Sequence, residues 1–353
     1  MQGSFATVTV DAKLSDNTLR QRCFQLLLEL QLISAETRIH VTSLEGGVAS
    51  DIAAVHSATG NYCVKFALPK LRVEQDWYAP VHRSLAEYRW LHFADDAVPG
   101  CVPELFGYSE SMNGFVMELL DNEDVYQWKR ALFSGYPARE DAENLASVLG
   151  KLHQISTHAD FDPSGFHNHR DFEALRTEPY LLYTASQHPA IAKHLQTLAA
   201  DLTSNSTALI HGDISPKNIL FDKGRAVILD AECATLGDPV FDVAFCLNHL
   251  ILKSMHMSQQ SDELLQSVVS FWETYSAYCQ WEALDGFEQR LCILLPALML
   301  ARVDGKSPVN YLMEEERERV RSIAVEAISL PASTLAEFLS RLPAMAVVDH
   351  VKP

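Results

Sequence analysis

The chain has 353 residues, 48% of them apolar, with 28 Lys and Arg against 46 Asp and Glu for a formal charge of −18. That length allows about two domains, and the acidic balance excludes a nucleic-acid partner, which needs a basic patch to displace counterions. The longest apolar stretch, Leu291 to Ala301, is too short to span a bilayer and contains Pro296, so no membrane partner is expected.

Leu19, Cys23, Leu26, Leu27 and Leu30 recur at helical intervals and predict an amphipathic helix over residues 18–34. Strand-like runs follow at 38–44, 52–56 and 62–66. Between the first two lies Gly46-Gly47-Val48-Ala49-Ser50-Asp51. Glycines between strands let the backbone approach a phosphate closely, and Ser50 adds a hydroxyl. Lys65 then falls inside the third strand, where a kinase places the lysine that meets the α- and β-phosphates of a nucleotide. A charged partner is needed to aim it. Glu87, on a helix expected over 83–93, is the first candidate and Glu74 the second. The run Gly114 to Met117 reads as the last strand of the first lobe, leaving backbone groups from Glu118 to Leu120 to meet the adenine edge.

From Asp121 onward the pattern turns helical, with Leu145, Val148, Leu149 and Leu152 marking a helix over 144–154. His158, His167 and His169 lie in a loop and complete no recognisable metal-ligand set. The most informative stretch comes next: His211-Gly212-Asp213-Ile214-Ser215-Pro216-Lys217-Asn218, followed twelve residues later by Asp230. Short strands at 207–210, 219–221 and 226–229, the last two joined by the turn Asp222-Lys223-Gly224-Arg225, bring Asp230 back beside Asn218. Kinase catalytic loops need one carboxylate to accept the proton of the attacking hydroxyl and an amide five residues later on the metal. Asp213 and Asn218 have that separation, and an Asp beside a side-chain amide makes a hard oxygen site suited to Mg²⁺. Helices are expected at 241–253 and 262–279, and a buried one at 291–303.

Taken in order, His211-Gly212-Asp213 with Asn218, Asp230-Ala231-Glu232 and Gly237-Asp238-Pro239-Val240-Phe241-Asp242 resemble the aminoglycoside phosphotransferase and choline kinase family. Its members carry H-G-D-x-x-x-x-N, then D-x-E or D-x-D, then G-D-P-x-x-D. A eukaryotic-type protein kinase fits less well, since Arg before the base, D-F-G and A-P-E are missing. One departure from the family is Ala231, where many relatives have an aromatic residue.

The resemblance implies an α+β, bilobal, protein-kinase-like fold, with residues 1–119 as the nucleotide lobe and 120–353 as a mainly helical catalytic and acceptor lobe. It implies ATP and Mg²⁺ as cofactors, Asp213 as catalytic base, and Asn218 and Asp230 as metal ligands. His211 and Asp242 give structural support to the loop, and Glu232 is a further metal ligand, a support for one, or a solvated carboxylate. Gly46, Gly47, Ser50, Lys65, Glu87, Glu118 and Leu120 are the nucleotide-binding candidates. Arg302 and Asp304, at the end of the buried helix, are candidate substrate contacts or a mutual pair. The activity implied is phosphoryl transfer to a hydroxyl of a small molecule, an amino alcohol, choline-like compound or sugar, and the acidic charge favours a cation. The alternatives are an antibiotic-resistance kinase and a nucleotide-binding sensor without turnover. The seven cysteines form no C-x-x-C pair and no signal peptide precedes them, which fits reduced thiols in a cytoplasm.

Overall fold

The computed structural model describes residues 8–44, 49–72, 78–136 and 139–342, with side chains from residue 18 onward. The chain divides into two compact units, one of Met1–His92 with Pro103–Asp121, the other of Phe93–Val102 with Asn122–Pro353.

The first unit contains α1 (Val8–Glu29), β1 (Ile39–Ser43), β2 (Ser50–Ser57), β3 (Asn61–Ala67), the start of α2 (Arg83–Ala97), β4 (Leu105–Ser109) and β5 (Gly114–Glu118). Its strands form one antiparallel sheet in the order β1-β2-β3-β5-β4. Cys23, Leu26 and Leu27 of α1 pack with Ile39, Ala53, Val55, Val64, Phe66 and Val116, so the amphipathic helix covers one face of the sheet. The helix expected to reach residue 34 stops at Glu29, and Gln31 turns the chain with φ of 59°. The strand β4 lacked an alternating pattern because Gly107 breaks its register against β5.

The second unit continues with β6 (Val125–Gln127), α3 (Trp128–Phe133), α4 (Arg139–Ser156), α5 (His169–Phe172), a π-helical stretch at Glu173–Leu182, α6 (Tyr183–Gln187), α7 (Ala192–Ser204), β7 (Ala208–Ile210), β8 (Ile219–Asp222), β9 (Arg225–Ile228) and β10 (Thr235–Gly237). It ends with α8 (Val240–His256), α9 (Ser261–Ser276), α10 (Leu284–Asp304), α11 (Glu314–Ser329) and α12 (Leu335–Ser340). Two small ribbons lie among the helices, β6-β8-β9 and β10-β7. Lys223 and Gly224 both have positive φ, 51° and 78°, the geometry of a two-residue hairpin turn, and they set β8 against β9 in the register Ile219 to Ile228. Helix α8 is buried along nearly its whole length and packs on α9 and α10. An antiparallel sheet in one unit and a mostly helical second unit make the α+β class expected from the sequence.

Candidate active site

Within the first unit, Lys65 projects from the centre of β3, between Ile52 of β2 and Phe115 of β5. Its Nζ donates to Oε1 of Glu87 at 2.7 Å, and both side chains are almost fully buried. Two charges leave water only when each satisfies the other, so Glu87 is the partner of Lys65. Glu74, the other candidate, lies outside the described residues, as do Gly46 and Gly47 of the glycine loop. Ser50 opens β2, buried opposite Ala67.

Arg83, which sequence reasoning passed over, is fully buried one turn before Glu87. It donates to the carbonyls of Leu68 at 2.8 Å, Ala79 at 3.1 Å, Pro80 at 2.8 Å and Ala49 at 2.5 Å. It therefore fixes the start of α2 to the exit of the glycine loop and the end of β3. Glu118 ends β5 with an exposed side chain, its N–H bonded to the carbonyl of Glu104, and Leu120 follows half-buried.

In the second unit the loop after β7 is held from three directions. Asp242, on the first turn of α8 and fully buried, accepts the backbone N–H of His211 and of Gly212, each at 2.7 Å. His153 of α4 donates to the same carboxylate at 3.2 Å, and its other ring nitrogen meets the Tyr275 hydroxyl at 2.8 Å. His211 Nδ1 accepts the N–H of Asp213 at 3.1 Å, which leaves Nε2–H to donate to the carbonyl of Leu229 at 3.1 Å. That pairing fixes the neutral tautomer, and burial pushes the His211 pKa down in the same sense. Gly212 has φ of +79°, and a Cβ there would come 2.8 Å from Cβ and 2.9 Å from the carbonyl oxygen of Cys233. No side chain fits at that position.

Asp213 meets two cations: Nη2 of Arg176 at 2.9 Å and Nζ of Lys217 at 3.2 Å. Each cation makes its closest approach to Oδ2. Burial pushes the Asp213 carboxyl up, but Lys217 and Arg176 outweigh it and hold the group below the usual carboxylate range. Arg176 comes from the π-helical stretch, donates also to the carbonyl of Gly212 at 2.5 Å, and carried no sequence signal. Lys217 lies four residues after Asp213 in the same loop.

Asn218 donates its side-chain amide to the carbonyl of Asp213 at 3.1 Å, which reserves its Oδ1 for another ligand. The N–H of Leu229 bonds to the carbonyl of Asn218 at 2.9 Å, placing Asp230 one residue beyond that contact. Asp230 has φ of 72°, a backbone state that Asp tolerates better than most residues. Its charge also opposes ionisation of Asp213, so the two carboxylates are near each other. One amide oxygen and one carboxylate fit Mg²⁺, which takes few protein ligands and keeps its waters. Among the described residues no group of three or more His, Cys, Asp or Glu forms a denser metal site. Glu232 is buried, close enough to Arg176 to raise the pKa of that guanidinium.

Arg302 and Asp304 do not pair with each other. Asp304 accepts from Arg321 at 2.7 Å twice and from His188 at 2.8 Å. Arg302 donates to the Tyr180 hydroxyl at 3.1 Å and to Ser307.

The family described as "Phosphotransferase enzyme family" matches residues 40–287. The chain belongs to that family. The phosphotransferase is 24% identical over 251 residues to methylthioribose kinase of Yersinia pseudotuberculosis serotype O:1b (strain IP 31758), a match covering 61% of each chain. It is 29% identical over 157 residues to mouse (Mus musculus) acyl-CoA dehydrogenase family member 10, covering 40% of this chain and 15% of that protein. The matched stretch thus spans about three fifths of the methylthioribose kinase and 15% of the mouse protein. Among solved structures, choline kinase LicA from Streptococcus pneumoniae superposes with a TM-score of 0.52 at 15% identity, covering 88% of this chain and 99% of that one. An ethanolamine kinase of Plasmodium vivax gives 0.51 at 12%, covering 87% and 88%. These likenesses establish the kinase-like fold. Among the described residues no helix is long and apolar enough to cross a membrane.

Proposed function

We propose that this phosphotransferase moves the γ-phosphoryl group of ATP, with Mg²⁺, to a hydroxyl of a small-molecule acceptor. The observation that carries the reading is the braced loop on which Asp213, held by Arg176 and Lys217, stands beside Asn218 and Asp230. Phosphoryl transfer asks the protein mainly for positioning and charge neutralisation, and these residues supply both. Asp213 accepts a hydrogen bond from the acceptor hydroxyl through Oδ1 and orients its oxygen in line. As the new P–O bond forms, the bond from γ-phosphorus to the bridging oxygen of ADP breaks, and the hydroxyl proton passes to Asp213 and then to water. A carboxylate held in its ionised form suits late proton transfer to a loose transition state. Asn218 and Asp230 would hold Mg²⁺, which supplies neutralisation of the phosphate oxygens when bound. Lys65, charged and aimed by Glu87, takes the α- and β-phosphates, with the backbone from Glu118 to Leu120 at the adenine.

The family and the kinase names of the relatives support this activity. An acidic chain draws cations to its surface, so choline, ethanolamine and aminoglycosides belong with sugars in the acceptor panel. The test is ADP release by the purified chain with Mg-ATP against that panel. Acceptor-dependent ADP release supports the reading; nucleotide binding with no ADP release under any acceptor favours a non-catalytic sensor instead.

A further inference from the structure

In the second unit a set of cations gathers beyond Asp213 that the proposed reaction does not use. Helix α8 carries Asp242, Phe245, His249 and Lys253 at intervals of three and four, so one face runs from the loop brace to Lys253. Arg176, bonded to Asp213, lies over the rings of Phe245 at 5.7 Å and Tyr180 at 5.9 Å. Arg302 lies 5.7 Å from the same Tyr180 ring, so the two guanidiniums share one aromatic neighbour. Phe245 meets the His249 ring at 5.4 Å, and one turn further Lys253 Nζ sits 5.4 Å from the ring of Phe133 and 5.3 Å from that of Tyr311.

The balance of charge in this cluster is unusual. Lys253 is 1% exposed, yet its hydrogen-bonding contact is the carbonyl of His249 at 3.4 Å. Among the described residues no carboxylate pairs with Lys253, with Arg302 or with half-buried Lys129. The Nε of Arg302 and the hydroxyl of Tyr311 are buried without a hydrogen-bond partner. Burial, with Lys129 and Arg302 close by, pushes Lys253 down to about 7. Burial and the same neighbours push His249 well below its ordinary value, and Lys129 is lowered by burial and by Lys217 and Arg302. A folded chain keeps like charges together at such a cost where something else compensates them, and arginine with lysine is the set that binds carboxylate and phosphate.

We propose that the acceptor of this kinase is an anionic alcohol, a hydroxycarboxylate or a phosphorylated polyol, whose negative group is held by Arg302, Lys253 and Lys129 while its hydroxyl reaches Asp213. This rests on the phosphotransferase reading and gives it a substrate class. It runs against the overall charge of −18, which speaks for the surface as a whole, whereas Arg302 connects to the base through the Tyr180 ring and Arg176. Tyr180 and Phe245 supply apolar wall between the two ends of such a molecule.

The test uses the full chain, Mg-ATP and matched probes: gluconate against glucitol, glycerol 3-phosphate against glycerol, with choline and ethanolamine alongside. Expected is a kcat/KM at least tenfold higher for an anionic probe than for its neutral match or either cation. The gluconate and glycerol 3-phosphate arms separate a carboxylate site from a phosphate site. Lys253→Met, near-isosteric and free of the buried charge, and Lys129→Gln, at a half-buried position, should each cut that preference tenfold with the KM for ATP unmoved. Neutral or cationic probes used equally well, or a preference intact in both variants, would overturn the proposal, as would anions that neither react nor shift the melting temperature. If the anions bind saturably and no probe releases ADP, the anion site stands and the kinase reading falls.

Discussion

Replacing Asp242 by Asn tests how the catalytic loop is held. The native carboxylate is fully buried and accepts two backbone N–H groups at 2.7 Å and the His153 ring at 3.2 Å. Hydrogen bonds to a charged group contribute about 1.5–3 kcal/mol each, and a buried donor left without an acceptor costs about 1–3 kcal/mol. Asn keeps one oxygen and turns an NH₂ toward a donor, so the loss is on the order of 3 kcal/mol; Ala, which abandons all three donors, loses on the order of 5 kcal/mol. Against a total of roughly 5–15 kcal/mol the Asn variant still folds. Urea unfolding and ADP release measured on one preparation should show a lower midpoint with an unchanged m-value. The same preparation should show kcat reduced at least tenfold, because the N–H groups of His211 and Gly212 no longer fix the loop that carries Asp213. A variant within about 0.5 kcal/mol of the native chain and with full turnover would refute the bracing argument.

Lys65→Met should raise the KM for ATP and, by leaving Glu87 without its lysine in a buried setting, cost about 3–5 kcal/mol in urea unfolding. Adding Glu87→Leu should recover most of that stability without restoring activity; a double variant with native ATP kinetics would remove Lys65 from the phosphates. Lys253 gives a pH signature of the opposite sense to a salt bridge. Its pKa is lowered from 10.5 to about 7 by burial and by Lys129 and Arg302, so the unfolded chain binds the extra proton between those values. Stability from this group is lowest below pH about 7, rises as pH climbs toward 10.5, and spans a few kcal/mol, on the order set by about 1.4 kcal/mol per pKa unit. Urea unfolding of native chain and Lys253→Met at pH 7 and pH 9.5 should converge at the higher pH; a constant gap would contradict the assignment.

The catalytic hairpin was legible because its chemistry is local in the chain. Asp213 and Asn218 are five residues apart, and the Lys223-Gly224 turn returns Asp230 to them by the register of a short ribbon. The Lys65 and Glu87 pair was also readable, because a lysine among β-formers followed by a helix with a suitably placed acid leaves few partners. Arg176 was not readable. It reaches Asp213 from a π-helical stretch containing Pro179, whose turn length matches neither helical nor strand periodicity. Lys253 and His249 did leave a trace, charged or titratable residues set among the apolar residues of α8. A buried lysine is rare enough to have been singled out. The reading of Arg302 with Asp304 shows the limit of proximity in sequence: two residues apart at the end of α10, they face different neighbours, Tyr180 and Arg321. The strands β4, β6 and β10 are short and interrupted or buried by tertiary contact, which removes the alternation that marks a strand.

The most direct measurement of the central claim is single-turnover phosphoryl transfer by Asp213→Asn, with ATP binding followed in parallel. The amide keeps the shape of the side chain, gives up its charge against Arg176 and Lys217, and can no longer accept the proton. Turnover reduced by about 10²–10⁴ with ATP affinity retained is the expected result. Turnover within a few-fold of the native chain would mean that some other group activates the acceptor, and the assignment built on this loop would fail.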